Sequence, residues 1–122
     1  MSPAETARAY TAAINAHDLA ALAALMSEDH AFVDSLGQVV KGRAAMDSGW
    51  RAYFELCPDY WVRIERELTD GAKVALFGEA GGTIRGQGWR IPAAWLAHIE
   101  NDQVHEWRVF ADNKPVYDIL AG

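Results

Sequence analysis

The sequence predicts an α+β domain in which three N-terminal helices precede a mainly antiparallel sheet. Two observations predict it. Apolar residues recur at helical spacing as far as Cys57, whereas from Tyr60 onward they alternate every second residue. Short turns separate the alternating stretches, and strands joined by short turns pair with their neighbours, which favours a meander. At 122 residues the chain has the size of one compact domain, 1–122, able to bury a core without disulfides or metal staples.

Ser2-Pro3-Ala4-Glu5 is a capping box with proline at the first helical position. Ala7, Tyr10 and Ile14 then mark one face of a helix that runs to about Ala16. Asp18 caps a second helix with Leu19, Leu22 and Leu25 as its stripe, and the polar Ser27-Glu28-Asp29 breaks it. His30 to Lys41 reads as a hairpin turning at Gly37. Gly42 starts a third helix whose buried face carries Met46, Trp50, Tyr53, Phe54 and Cys57, and Pro58 closes it. Tyr60, Val62, Ile64 and Leu68 alternate with Arg63, Glu65 and Glu67 up to Asp70-Gly71. Strands from Lys73 to Thr83, Trp89 to Glu100 and Gln103 to Ala111 come next, then a short closing segment with Pro115, Val116, Tyr117, Ile119 and Leu120.

Seventeen acids against eleven Lys plus Arg give a net charge of −6, which repels phosphate backbones and argues against nucleic acid as a partner. No apolar run approaches the ~20 residues that cross a bilayer, so no membrane is expected. The start of the chain has neither the basic residues nor the apolar stretch of a secretory signal, and a cytoplasmic location is the expectation. The single Cys57 reads as a small buried hydrophobe. His17, His30, His98 and His105 are scattered, with no pair at helical spacing, so no metal and no cofactor is expected.

The order of elements resembles the NTF2-like superfamily, in particular its SnoaL-like and ketosteroid-isomerase-like members. The resemblance is carried by Tyr10-Thr11-Ala12-Ala13-Ile14-Asn15-Ala16-His17-Asp18-Leu19, by Phe32-Val33-Asp34-Ser35-Leu36-Gly37 with Val40-Lys41-Gly42-Arg43, by Gly82-Thr83, and by Val104-His105-Glu106-Trp107 running to Asp112. It implies an NTF2-like (cystatin-like) cone: a strongly curved sheet whose concave face and three helices enclose a cavity. It also implies a homodimer through the opposite sheet face. Strand parity then sends Trp95, Ala97 and Ile99 inward and Leu96 and His98 outward. His105, Trp107, Val109 and Ala111 share the inward parity of the last strand.

The same resemblance implies site residues. Tyr10 matches a tyrosine that donates to a developing enolate, and Asp34 an aspartate that shuttles the proton; a carboxylate in an apolar pocket and a phenol beside it suit that chemistry. Trp95 stands where those isomerases carry a protonated acid. Asp112 matches the acid that ends the last long strand of polyketide cyclases, but Gly82-Thr83-Ile84 stands in place of their Gly-Thr-His element. Each residue also has a plain structural reading: Tyr10 as core, Asp34 as a turn residue, Asp112 as a cap. Trp50, Trp89, Trp95 and Trp107 either line the cavity or fill it, and His105 is a further candidate for its wall. The expected function is a pocket for a small apolar or carbonyl-bearing molecule, with or without proton transfer next to a carbonyl. If it is an enzyme, it is an isomerase or cyclase; the alternatives are a ligand-binding module and a dimeric scaffold.

Overall fold

The computed structural model describes all residues, 1–122. The helical half obeys its capping chemistry. Helix α1 (Pro3–Ala16) begins at Ser2, whose hydroxyl accepts from the Glu5 amide at 3.1 Å while the Glu5 carboxylate accepts from the Ser2 amide at 3.0 Å. It ends at His17 in the left-handed conformation. Helix α2 (Leu19–Leu25) is capped by Asp18, whose carboxylate accepts from the Ala21 amide. Helix α3 (Arg43–Leu56) turns Met46, Trp50 and Phe54 into the core. A last helix, α4 (Lys114–Ala121), packs back on the sheet through Val116 and Ile119.

The strands are β1 (Met26–Val33), β2 (Val39–Lys41), β3 (Trp61–Asp70), β4 (Lys73–Ile84), β5 (Gln87–Glu100) and β6 (Gln103–Ala111). They form one six-stranded sheet in the order β2-β1-β6-β5-β4-β3. The meander from β3 to β6 is antiparallel throughout, and only β1 and β6 run parallel. One core of 24 buried residues lies between the helices and the concave sheet face. Helix α2 ends at Leu25, just before Ser27-Glu28-Asp29, but these residues are already strand, so β1 begins ahead of the expected hairpin start at His30. Their pairing partner, β6, lies more than 70 residues away, and local polarity carries no trace of it.

Two bulges bend the sheet. In β3, Ile64 faces Gly78 but Arg66 faces Phe77, so Glu65 is the extra residue. In β6, Val104 faces Ile99 but Glu106 faces His98, so His105 is the extra residue. Each bulge reverses the parity of the residues beyond it, and two expectations fail there. Leu68 is not inward; it is 59% exposed on the outer face. His105 does not share the face of Trp107, because Val104 and Trp107, three residues apart, are both buried inward. Beyond the bulge Trp107, Val109 and Ala111 do point into the cone. Glycines in β4 make the bend sterically feasible: a Cβ on Gly78 would lie 1.8 Å from the Arg63 carbonyl oxygen, and one on Gly82 would lie 2.3 Å from Cys57 Sγ.

Candidate functional site

Between α3, α4, the β1–β2 turn and the concave faces of β4 to β6 lies a cavity of about 400 Å³. Of its 22 lining residues 18 are hydrophobic, so its walls favour an apolar occupant. Trp50 comes from α3, Trp89 and Trp95 from β5, and Trp107 from β6. Trp50 stacks on Phe54 at 5.4 Å between ring centroids, and Trp95 stacks on Trp107 at 6.4 Å. The small Ala93 and Ala111 leave the remaining space. Asp34, Ser35 and Asn113 supply its only carboxylate, aliphatic hydroxyl and amide side chains. They form a polar rim where the β1–β2 turn meets α4, and Asn113 donates to the Ser35 hydroxyl at 2.8 Å.

Tyr10 lies fully buried beneath this wall. Its hydroxyl accepts a hydrogen bond from Trp50 Nε1 at 3.0 Å, and its ring sits 4.8 Å from that of Trp107. Burial pushes its phenol well above the ordinary range. Asp34 borders the cavity half-buried, yet its carboxylate does not meet Tyr10. One oxygen accepts from the amides of Leu36 and Gln38, both at 2.9 Å, which closes the turn in the manner of an Asx motif. No direct Tyr10–Asp34 hydrogen bond forms, for a local reason: the turn begins one residue after β1 ends at Val33, and the Asp34 carboxylate closes it.

The family model for the SnoaL-like domain matches residues 7–107 of this chain. The chain belongs to the SnoaL-like family. No curated protein matches it in sequence. Among solved structures, this SnoaL-like protein is similar to one described as a SnoaL-like polyketide cyclase from Shewanella denitrificans OS-217, with a TM-score of 0.87 and 18% identity over 98% of this chain and 96% of that one. A protein of ketosteroid isomerase-like fold from Catenulispora acidiphila DSM 44928, solved in complex with trimethylamine, gives 0.80 at 22% identity over 90% and 86% of the two chains. An LEH-like epoxide hydrolase from M. tuberculosis gives 0.83 at 18% over 98% and 86%. At these identities the likeness is one of fold.

The other expected residues of this SnoaL-like protein fall outside the cavity. Asp112 is exposed, and its carboxylate accepts from the Lys114 amide at 3.0 Å, an Asx turn that leads into α4. His105, displaced by its bulge, places Nδ1 3.3 Å from Asp29 and its ring 5.9 Å from that of His98. Nowhere do three His, Cys, Asp or Glu side chains converge in a manner suited to a metal. Three tyrosines of the cavity wall are not singled out by the sequence as candidates: Tyr53, Tyr60 and Tyr117. Tyr53 is visible on the apolar stripe of α3, and Tyr60 at the start of an alternating strand. Neither position distinguishes a phenol that fills the core from one that opens on a cavity.

Proposed function

We propose that this SnoaL-like protein binds a small, largely apolar molecule in its tryptophan-lined cavity and that binding, rather than isomerase-type proton transfer, is its function. The observation that carries this reading is the division of labour around the cavity. Its walls are apolar and roomy, while the Tyr10 hydroxyl is engaged by Trp50, the Asp34 carboxylate holds a turn, and Asp112 faces solvent. A general base has to reach the proton that it takes, and no acid and donor meet here over the same point. The test is equilibrium dialysis with 2-isopropylnaphthalene. Saturable binding that disappears in Ala93→Trp, which fills the space, supports the reading; no saturable binding by the unmodified protein defeats it.

A second reading has one observation in its favour: Asp34 does border the cavity, and its second carboxylate oxygen carries no bond from the protein. In that reading Asp34 removes a proton next to the carbonyl of a bound ketone. Deuterium uptake at the α-carbon of 2-acetylnaphthalene in heavy water, followed by NMR, separates the two. Uptake catalysed by the protein and reduced on the order of 10²-fold in Asp34→Asn supports the second reading. Uptake no faster than in buffer supports binding alone.

A further inference from the structure

We infer that the hydroxyls of Tyr53 and Tyr60 form the hydrogen-bonding pole of the cavity and receive the carbonyl oxygen of an otherwise apolar ligand. The inference rests on the cavity being a binding site. Tyr10 is the cavity region's one tyrosine whose hydroxyl is bonded within the protein. Tyr53 and Tyr60 line the cavity, are half-buried, and donate to nothing in the chain. Their oxygens are also not among the buried polar atoms sealed away without a partner, which are Thr6 Oγ1, His30 Nε2, Trp89 Nε1 and His105 Nε2. A phenol that is partly buried and unpaired normally finds a partner, because leaving it without one is costly. Both residues line the cavity, so a ligand held there is the partner that we assign to them.

The rings are held in place. Tyr53 meets Tyr60 edge to face, with centroids 4.8 Å apart at 88°, and Tyr60 stacks on Trp89 at 6.0 Å. One phenol comes from α3 and the other from the residue before β3, and their contact with each other and with Trp89 orients the pair. Burial, reinforced for Tyr60 by its neighbour Tyr53, pushes both phenols above the ordinary range. They are therefore neutral donors at neutral pH. Two O–H donors carried by rings in contact suit a carbonyl oxygen, which has two in-plane lone pairs and no proton to give. Beyond them, apart from the Asp34–Ser35–Asn113 rim, the cavity wall is mainly aromatic and aliphatic, which suits a ligand with a carbonyl end and an apolar body.

Two probes of similar shape, 2-acetylnaphthalene and 2-isopropylnaphthalene, one carrying a carbonyl oxygen where the other carries a methyl group, test the pole by equilibrium dialysis. The expected result is that the unmodified protein binds the ketone about fivefold or more tightly than the hydrocarbon, the scale of one or two net hydrogen bonds. The double variant Tyr53→Phe/Tyr60→Phe, its folding checked by circular dichroism, should bring the ratio close to one. A ketone preference that survives in the double variant overturns the inference while leaving the binding reading intact. Equal affinities in the unmodified protein do the same. Failure of both probes to bind the unmodified protein overturns the binding reading and the pole together.

Discussion

His30 sits at the back of the core, fully buried, with Nδ1 2.7 Å from the Val104 carbonyl oxygen and Nε2 facing no partner. The carbonyl can only accept, so Nδ1 carries the hydrogen and the ring is neutral. Desolvation lowers its pKa, with His105 and Lys41 adding to the effect and the Val104 bond and Asp29 opposing it. The unfolded chain therefore binds a proton at His30 at a higher pH than the folded protein does. Its contribution to stability is fully present above the unfolded value, about 6.5, and is lost as pH falls from there toward the folded value. The melting temperature should drop between pH 7.5 and 5.5, and His30→Gln should flatten that part of the profile in a calorimetric series. The Tyr10–Trp50 bond gives a second outcome at this scale. Trp50→Phe leaves the buried Tyr10 hydroxyl without its donor and should cost about 1–3 kcal/mol in urea denaturation. Sequence alone could rank Tyr10 and Trp50 as buried aromatics, since each sits on the apolar stripe of a helix. It could not reveal that they bond each other, because residues 40 positions apart share no periodicity. Nor could it choose between turn and base for Asp34, whose neighbours Ser35-Leu36-Gly37 fit either role.

Among the elements, β4 is the one whose composition most directly reports on shape. In the sequence, Gly78, Gly81 and Gly82 read as a loosening of the strand, and the structure shows what the missing side chains permit: close approach of Arg63 to Gly78, of Trp61 to Gly81, and of Cys57 to Gly82. Gly78→Ala should therefore destabilise the protein by about 3 kcal/mol through forced displacement of the β3 backbone. Gly88→Ala, with nothing within 4 Å of the added carbon, should be neutral or slightly stabilising. Urea midpoints of the two variants provide the comparison, and equal losses would show that steric approach is not what the β4 glycines serve. The strands themselves were legible because period-two alternation is a local signal. Bulges are not, since Glu65 and His105 each fit an unbroken alternating pattern and only the cross-strand register exposes them as extra. That is why alternation alone sends Leu68 and His105 inward, against the structure, while it places Trp95 and Trp107 correctly on the concave face.

Across the whole molecule the convex sheet face presents two rows. Arg66, Phe77, Ala94 and Phe110 lie side by side on four strands, and Leu68, Ala75, Leu96 and Arg108 form the next row. Leu68, Phe77 and Phe110 are each more than 40% exposed in the single chain, and apolar groups arranged across neighbouring strands suit burial against a partner. The expected partner is a second copy, paired about a twofold axis. Sedimentation should give twice the 13.4 kDa mass of the chain, and Phe77→Glu should halve it without loss of the helical and strand signal in circular dichroism. A monomer at micromolar concentration defeats this expectation. No helix is long and apolar enough to cross a membrane. The parallel pairing of β1 with β6 has a consequence in time. Met26 opposes Val104 and Phe32 opposes Trp107, so the strand after the first two helices has no neighbour on that side until nearly the whole chain exists. Such distant pairing makes the search for the native topology slow. On the ribosome the first strand must wait until the sixth emerges, and during that interval its unpaired edge is open to pairing with another chain.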